Sequence, residues 1–457
     1  MKQFAKRIHM VGIGGAGMSP LAEVLHSRGH TITGSDYAQS ASTEHLQSLG
    51  IEVQYDHQPH LVRHADVLVY SSAVKENNAE RTYALQHNIP CLRRAEVLGD
   101  VMRSNFSICI SGTHGKTTTT SLVGTVMMDV DASPTVLVGG MLKSSGSHAV
   151  VGNGRMLVAE ADEYDRSFLA MYPSIAVITN IEADHLDCYS DIEDIKDTFV
   201  QFTERVPFDG AVIVCIDDPG VLGVMHRIRR TVISYGVSKA ADYRAENVIC
   251  SEGRTHFEVF HKGKRLGSIS LKIPGLHNVK NALAAVAVAL ETGHEFDSVA
   301  NSISRFQGVK RRFEMLGECS GITVVDDYAH HPGEISATLN AARDWGFERV
   351  VAVFQPHLYS RTRDFLDEFA AALSCADQVV VTSIYKAREC PIPGVTSEKI
   401  VHSMNKSGQS KTLYIENKED ISLKLKTMTK EGDAVVFMGA GDIFKTAREF
   451  LKVLENE

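Results

Sequence analysis

One stretch constrains this chain more than any other: Ser111-Gly112-Thr113-His114-Gly115-Lys116-Thr117-Thr118. It follows an apolar, strand-like run from Phe106 to Ile110 and leads into a helical pattern from Thr119 to Met128. Strand, glycine loop and helix in that order make a phosphate cradle, because backbone N–H groups and the positive end of the helix dipole converge on an anion. Lys116 would reach the outer phosphates of a nucleotide, and Thr117 would offer its hydroxyl to Mg²⁺. The common P-loop spacing has a glycine where Ile110 stands, so the expected loop is a shorter one entered through Gly112. The plain alternative is a tight turn carrying a solvated lysine.

A second glycine turn lies near the start. Arg7 to Val11 reads as a buried strand, followed by Gly12-Ile13-Gly14-Gly15-Ala16-Gly17. Met18 to Ser27 reads as a helix, and Thr31 to Thr33 as a strand ending at Gly34-Ser35-Asp36. This is G-x-G-x-x-G in a βαβ unit, with an acid 19 residues beyond Gly17. On spacing it is the dinucleotide fingerprint, with Asp36 placed for a ribose hydroxyl. The motif leaves the nucleotide open, and glycines can also serve close helix–strand packing alone. Val67 to Tyr70 reads as a strand whose end, Ser71-Ser72, opens toward the same crevice, and Arg93-Arg94 could add charge for a phosphate.

The middle of the chain carries two apolar strands that end in acids. Leu157-Val158-Ala159 runs into Glu160-Ala161-Asp162-Glu163-Tyr164-Asp165, and Ile175 to Thr179 runs into Asn180-Ile181-Glu182-Ala183-Asp184-His185. Mg²⁺ takes one or two carboxylates and completes its shell with water and phosphate oxygens, so acids beside a phosphate loop suit it. Further on, Asn278 and Asn281 stand three apart at the start of a helical pattern, where capping is the better reading and a base edge the other. Gly308 to Phe313 is a compact basic element fit for a phosphate or a hinge.

A third α/β series begins near Gly321. Its strands would be Ile322 to Val325, Val350 to Phe354, Gln378 to Val381 and Ala434 to Met438. They run into Asp326-Asp327-Tyr328-Ala329-His330-His331-Pro332, into Gln355-Pro356-His357-Leu358-Tyr359-Ser360-Arg361, and into Gly439-Ala440-Gly441-Asp442. Sites in such sheets form at these strand ends. Ser403 to Ser410 reads as a surface loop.

Composition narrows the partners. A chain of 457 residues suggests about three domains at roughly 150 residues each. A net charge of −9 without a long basic run argues against nucleic acid or an anionic membrane surface as the main partner. Eight cysteines without a C-x-x-C pair suit reduced thiols. No apolar run approaches a membrane span, and the first residues lack a signal-peptide pattern. The expectation is a cytoplasmic protein with no membrane insertion.

Gly112 to Thr118 resembles the ATP loop of the Mur ligases, which lacks the glycine missing here. The resemblance continues in order through Gly12 to Met18, Glu160 to Glu163, Asn180 to His185, Asn278 with Asn281, Arg311-Arg312-Phe313, Asp326 to Pro332 and Gln355-Pro356-His357. It implies an α/β fold of three domains: an N-terminal Rossmann-like domain for a UDP sugar (1–103), a central P-loop ATPase-type domain (104–318) and a C-terminal Rossmann-like domain for an amino acid (319–457). It moves Gly12 to Gly17 from a nicotinamide cofactor to the UDP substrate.

The resemblance also implies residue roles. ATP would lie on Gly112, Thr113, His114, Gly115, Lys116, Thr117, Thr118, Asn278, Asn281, Arg312 and Asp327. Mg²⁺, with Mn²⁺ able to substitute, would be held by Thr117, Glu160 and His185. The UDP sugar would meet Gly12, Gly14, Gly15, Gly17, Ser35, Asp36, Ser71, Ser72 and Arg94. The amino acid would meet Tyr328, His330, His357 and Arg361. Lys116, Glu160, His185, Arg312, His330 and His357 would carry the chemistry.

Within the family, Gln355-Pro356-His357 with Ser360-Arg361 is similar to the member that joins L-alanine to UDP-N-acetylmuramate, and unlike the one that reattaches recycled muropeptides. Two departures stand out: Leu358 where some members have arginine, and Tyr164 where serine is common. Two readings from other classes remain at this stage. One is a nicotinamide-dependent oxidoreductase built on Gly12, Gly14, Gly17 and Asp36. The other is a regulatory module whose ATP site switches shape without chemistry.

Overall fold

The structure, a computed structural model, describes residues 6–140, 148–185, 188–251, 253–387, 389–406, 408 and 412–455. The chain divides into two compact units. One holds 1–246, 259–267 and 280–303; the other holds 247–258, 268–279 and 304–457.

The first unit contains two sheets. Its N-terminal sheet is all parallel, with spatial order Glu52–Gln54, Thr31–Ser35, Arg7–Val11, Val67–Tyr70, Cys91–Arg93. The order reverses between Arg7–Val11 and Val67–Tyr70, so the glycine turn after Val11 stands at the switch point where open α/β sheets bind ligands. Helix Met18–Ser27 follows at once and buries Leu21, Val24 and Leu25. Met10, Val11 and Leu68 are wholly buried, as expected for strands covered on both faces.

In the second sheet the strand before the phosphate loop, Phe106–Ser111, lies between Met156–Glu160 and Ile175–Ile178. Both acid-ended strands therefore flank the loop. Helix Lys116–Asp129 starts immediately after Gly115, three residues before the helical pattern expected from Thr119. Helix Leu276–Glu291 also starts earlier than its pattern suggests, so Asn278 and Asn281 lie inside it and neither is its cap.

The other unit is built on a six-stranded sheet, ordered Glu314–Cys319, Ile322–Asp327, Asp433–Met438, Arg349–Phe354, Gln378–Val381, Thr412–Tyr414. The first pair is antiparallel and the rest parallel. The ends bearing Asp327, Gly439 and Gln355 are thus side by side. The expected loop from Ser403 begins as helix: Glu398–Lys406 buries Ile400 and Met404, four apart on one face. Of the remainder, only Gly408 lies among the described residues.

Candidate active site

The phosphate loop is held from below by the second acid-ended strand. Asn180 takes the loop backbone on three atoms: its carbonyl accepts from Thr113 N at 3.2 Å, its Oδ1 from His114 N at 2.7 Å, and its Nδ2 donates to His114 O at 3.1 Å. Thr179 Oγ1 donates to the same carbonyl, and Glu182 N donates to Thr113 Oγ1. Gly115 has φ +82°, and a Cβ there would fall 2.8 Å from Asn281 Oδ1, so only glycine closes the loop against that helix. Asn281 Oδ1 also accepts from Thr119 Oγ1 at 3.0 Å. Asn281 therefore fixes the start of the loop's helix, a role its spacing did not suggest. Asn278 Nδ2 ties back to Pro274 O at 2.7 Å.

Lys116 does not stand free. Its Nζ donates to both oxygens of Glu163, each at 2.8 Å, to Gly112 O at 2.6 Å and to Thr113 O at 3.2 Å. Glu163, absent from the expected roles, is thus the acid that pairs with the lysine. Asp162, Glu163 and His185 bring one ligand atom each within 4.8 Å of one another. Three acids act on one ammonium here, with Glu163 buried and Lys116, Asp162 and Glu160 half-buried around it. Burial alone would lower the Lys116 pKa, but Glu163, Asp162 and Glu160 outweigh it and raise it. Burial pushes the Glu163 carboxyl up to about 7, and Asp162 adds to this against the pull of Lys116. The lysine's shift comes from the carboxylates around it, the glutamate's first from its burial.

Glu160 closes the strand Met156–Glu160 and accepts from Gly139 N at 2.8 Å. Thr117 sits in the first helical turn, buried. His185 holds a left-handed backbone, φ +54°, with Nε2 3.7 Å from Glu163 Oε1 and 3.9 Å from Asp184 Oδ2. Tyr164 packs edge-on against its ring, centroids 5.1 Å apart. The tyrosine therefore borders the His185 ring on one edge. Oxygen donors with surplus charge fit Mg²⁺, and the imidazole nitrogen suits Mn²⁺ at least as well.

At the N-terminal glycine turn, Asp36 behaves differently from a dinucleotide enzyme's acid. Its Oδ2 accepts from Gly14 N at 2.8 Å and its Oδ1 from Tyr37 N at 2.7 Å. One loop amide is therefore spent on a carboxylate rather than left for a diphosphate. Ser35 O receives Gly12 N and Ile13 N, and Ser71 lies beside Gly12. Ser72 follows it, exposed. Arg94 opens helix Arg94–Met102 and reaches Gly17 so closely that a Cβ there would meet its guanidinium at 3.0 Å. Burial lowers the Arg94 pKa, while Asp162 and Glu160 work to raise it. That arginine therefore lies between the glycine turn and the acids beside the phosphate loop.

In the other unit the expected amino-acid residues gather at the strand ends. His330 Nδ1 lies 2.9 Å from Tyr328 O and 3.1 Å from Glu334 Oε2. Both are acceptors, so Nδ1 carries a hydrogen. His330 and His357 meet edge to face at 5.9 Å, and His357 stacks on Tyr385 at 5.8 Å. Asp327 accepts from Phe313 N and Ala329 N. Arg312 lies 3.6 Å from Glu334, with its guanidinium over the Tyr328 ring. Arg311 turns inward instead, onto Asp326 and the carbonyls of Gly439 and Gly441. Arg361 is buried in the middle of the short helix Tyr359–Asp364, not at a cap. Leu358, just before it, has φ +73°, a strained conformation for a branched side chain. Tyr385, Glu334 and Glu389, which takes Ser360 Oγ and N, had no motif to announce them.

Three family models match the chain in order: the Mur ligase family catalytic domain over 7–106, the Mur ligase middle domain over 110–289, and the Mur ligase glutamate ligase domain over 311–441. A UDP-N-acetylmuramate–L-alanine ligase of Salinibacter ruber is 48% identical over 455 residues, 99% of this chain and 96% of that one. One from Geobacter sp. (strain M21) is 47% identical, over 98% and 97%. Among solved structures, the UDP-N-acetylmuramate–alanine ligase of Thermotoga maritima matches with TM-score 0.83 at 30% identity, over 99% of both chains. A murein peptide ligase of Psychrobacter arcticus matches at TM-score 0.71 and 25% identity, again over 99% of both.

Proposed function

Since the chain belongs to the Mur ligase family, we propose that it joins L-alanine to UDP-N-acetylmuramate at the expense of ATP, in peptidoglycan precursor synthesis. The observation that carries this is end-to-end identity of 48% with an enzyme of that name. The recycling relative is the less similar fold, and the nicotinamide reading loses ground because Asp36 occupies a loop amide. No helix among the described residues is long and apolar enough to cross a membrane, and we place the enzyme in the cytoplasm, where its nucleotide substrates are made. The domain division at 1–103, 104–318 and 319–457 belongs to the same proposal.

A carboxylate is a poor electrophile at neutral pH, so it is first made into a mixed anhydride. An oxygen of the muramoyl carboxylate attacks the γ-phosphorus of ATP; the P–O bond to ADP breaks, giving an acyl phosphate. The alanine amine then attacks the acyl carbon, the C–N bond forms, and inorganic phosphate leaves from the tetrahedral intermediate. For the first step the chain supplies position and positive charge. Lys116 would leave Glu163 for the γ-phosphate, and Arg312 would add charge. Thr117, Glu160 and His185, with Asp162 and Glu163 beside them, would hold a divalent cation, which when bound offsets the charge of the phosphates.

For the second step an amine proton must be taken up. His330 is the better base of the two histidines, because its Nδ1 hydrogen is committed to Tyr328 O and Glu334, so that the neutral ring presents its lone pair at Nε2. Arg361, with Leu358 unable to pair with a carboxylate, would hold the alanine α-carboxylate, where a planar fork suits two parallel bonds. The test is phosphate release on mixing enzyme with UDP-N-acetylmuramate, ATP, Mg²⁺ and L-alanine. It should require all four, and release indifferent to alanine would defeat the reading.

A further inference from the structure

The basic element from Gly308 to Phe313 is only half used by these steps, since Arg312 has a part in them and Arg311 has none. Arg311 holds a left-handed backbone, φ +59°. Its N donates to Glu314 Oε2 at 2.8 Å, and its carbonyl accepts from Tyr328 N at 2.8 Å. Its Nη2 donates to Gly439 O at 2.6 Å and to Gly441 O at 3.2 Å, while its Nε lies 3.5 Å from Asp326 Oδ2. The guanidinium stands over the Phe444 ring at 4.6 Å and the Tyr328 ring at 4.8 Å.

The surroundings call for a cation of this shape. Asp326, on strand Ile322–Asp327, is wholly buried. Burial pushes its carboxyl up to about 7, with Asp327 and Glu314 adding to the rise, while Arg311 and Arg448 pull it back toward ionisation. A buried carboxylate that lost its cation would be left uncompensated. Carbonyl oxygens and ring faces take the rest of the guanidinium's charge. One planar fork can meet an acid, two carbonyls and two rings at once, whereas an ammonium is a single point of charge.

Two groups of expected amino-acid residues rest on this one side chain. In the first, the Tyr328 ring lies against the guanidinium and meets the His330 ring edge-on at 5.4 Å. In the second, Gly441 leaves no room for a Cβ, which would fall 2.6 Å from Tyr385 Cγ. Tyr385 therefore rides on the glycine turn, and its ring stacks on His357 at 5.8 Å. Its backbone also grips the segment that carries His357: Leu358 N donates to Tyr385 O at 3.0 Å, and Tyr385 N to Pro356 O at 2.8 Å. Arg311 holds the carbonyls of that turn, so a shift of Arg311 moves the floor under Tyr385 together with the Tyr328 ring.

We propose that Arg311 is a positioning residue for the amino-acid acceptor: it touches no substrate and sets the spacing between the Tyr328–His330 pair and the Tyr385–His357 pair. This rests on the amino-acid site proposed above. An acceptor as small as alanine has one methyl group to bury, so its binding depends on polar contacts whose geometry is fixed beforehand. Displacing either pair is felt in acceptor binding. The UDP sugar is spared, because its expected residues, Gly12 to Arg94, belong to the other compact unit.

The experiment is steady-state kinetics of the full-length wild type, Arg311→Met and Arg311→Lys, with folding checked by circular dichroism and melting temperature. Arg311→Met should raise the KM for alanine roughly 3- to 10-fold, the range for one lost hydrogen bond. The KM for UDP-N-acetylmuramate should hold. Arg311→Lys keeps the charge without the fork and should recover only part of the loss. A merely structural role would lower the active fraction instead, so that kcat fell while every KM stayed put. Should Arg311→Met fail to fold, Arg311→Lys decides alone by the same split. An unchanged alanine KM in folded variant, or one that rises together with that for UDP-N-acetylmuramate, would overturn the proposal and leave the ligase reading standing. Wild-type phosphate release that ignored alanine would defeat the ligase reading, and this proposal with it.

Discussion

Glu163→Gln tests whether the phosphate loop is built around surplus negative charge. The carboxyl is 3% exposed and its pKa stands at about 7, above the ordinary glutamate value it has in the unfolded chain. The folded protein therefore binds that proton more tightly than the unfolded one, and its contribution is greatest in acid. It is lost as pH rises from about 4.5 through about 7. A shift of that size corresponds to roughly 3 kcal/mol, and about 2–4 °C per kcal/mol for a domain this large gives some 6–12 °C. Glutamine resembles the neutral form and does not titrate. In scanning calorimetry of nucleotide- and metal-free protein, the two should melt alike near pH 5. Near pH 8 the variant should melt several degrees higher. ADP without metal should also bind the variant more tightly, because Lys116 no longer gives up a carboxylate to meet a phosphate. Parallel melting curves from pH 5 to 8 would refute the reasoning.

Lys116→Ala should spare UDP-sugar binding and cut turnover at least 10²-fold, since one preorganised transition-state charge is worth roughly 3 kcal/mol; steady-state kinetics with a UDP-sugar titration decides it. Arg361→Ala should raise the KM for alanine about 30- to 800-fold, as loss of a charge-assisted pair of roughly 2–4 kcal/mol requires, with Arg361→Lys recovering only part. An unchanged alanine KM would move the carboxylate elsewhere. His330→Asn should lower kcat by roughly 10²-fold or more while the KM for ATP holds; a near-normal kcat would pass the role to His357. Tyr164→Ser should weaken activation by Mn²⁺ by a few-fold, read from a metal titration, while the KM for alanine stays put.

Strands were easier to read than the contacts between their ends. Phe106 to Ile110 and Ile322 to Val325 are apolar runs bounded by turns, so period and composition announce them. The flanking of Phe106–Ser111 by Met156–Glu160 and Ile175–Ile178 is also legible, since both are apolar runs that lead into acids. Helix starts were less so. Lys116, Thr117 and Thr118 are polar, and Leu276 to Asn278 follow a Pro-Gly break, yet both segments are helical because tertiary contacts through Asn281 and Thr119 hold the first turns. The partners of the charged groups were not legible at all. Glu163 is one of three acids in four residues, and only folding shows that both of its oxygens go to Lys116. Tyr385 and Phe444 belong to no motif, since packing joins elements without regard to spacing along the chain.

The glycine turn at Gly12 shows how the same motif can serve different ligands. Its spacing describes backbone shape, a tight turn leading into a helix, and that shape is what the structure has. Ligand choice depends on what surrounds the turn electrically. A free acid beyond the second strand would take a ribose hydroxyl and leave the turn's amides to a pyrophosphate. Here Asp36 closes on Gly14 N and Tyr37 N, which adds negative charge to the turn itself. A diphosphate at this turn would need a compensating cation, and in the proposed reading Arg94, which lies against Gly17, would supply it. That arginine also faces Glu160 and Asp162 beside the phosphate loop. In that reading a sugar nucleotide anchored on Arg94 would be tethered next to the phosphate loop. A dinucleotide cofactor would gain nothing from that adjacency, whereas a carboxylate awaiting phosphorylation depends on it.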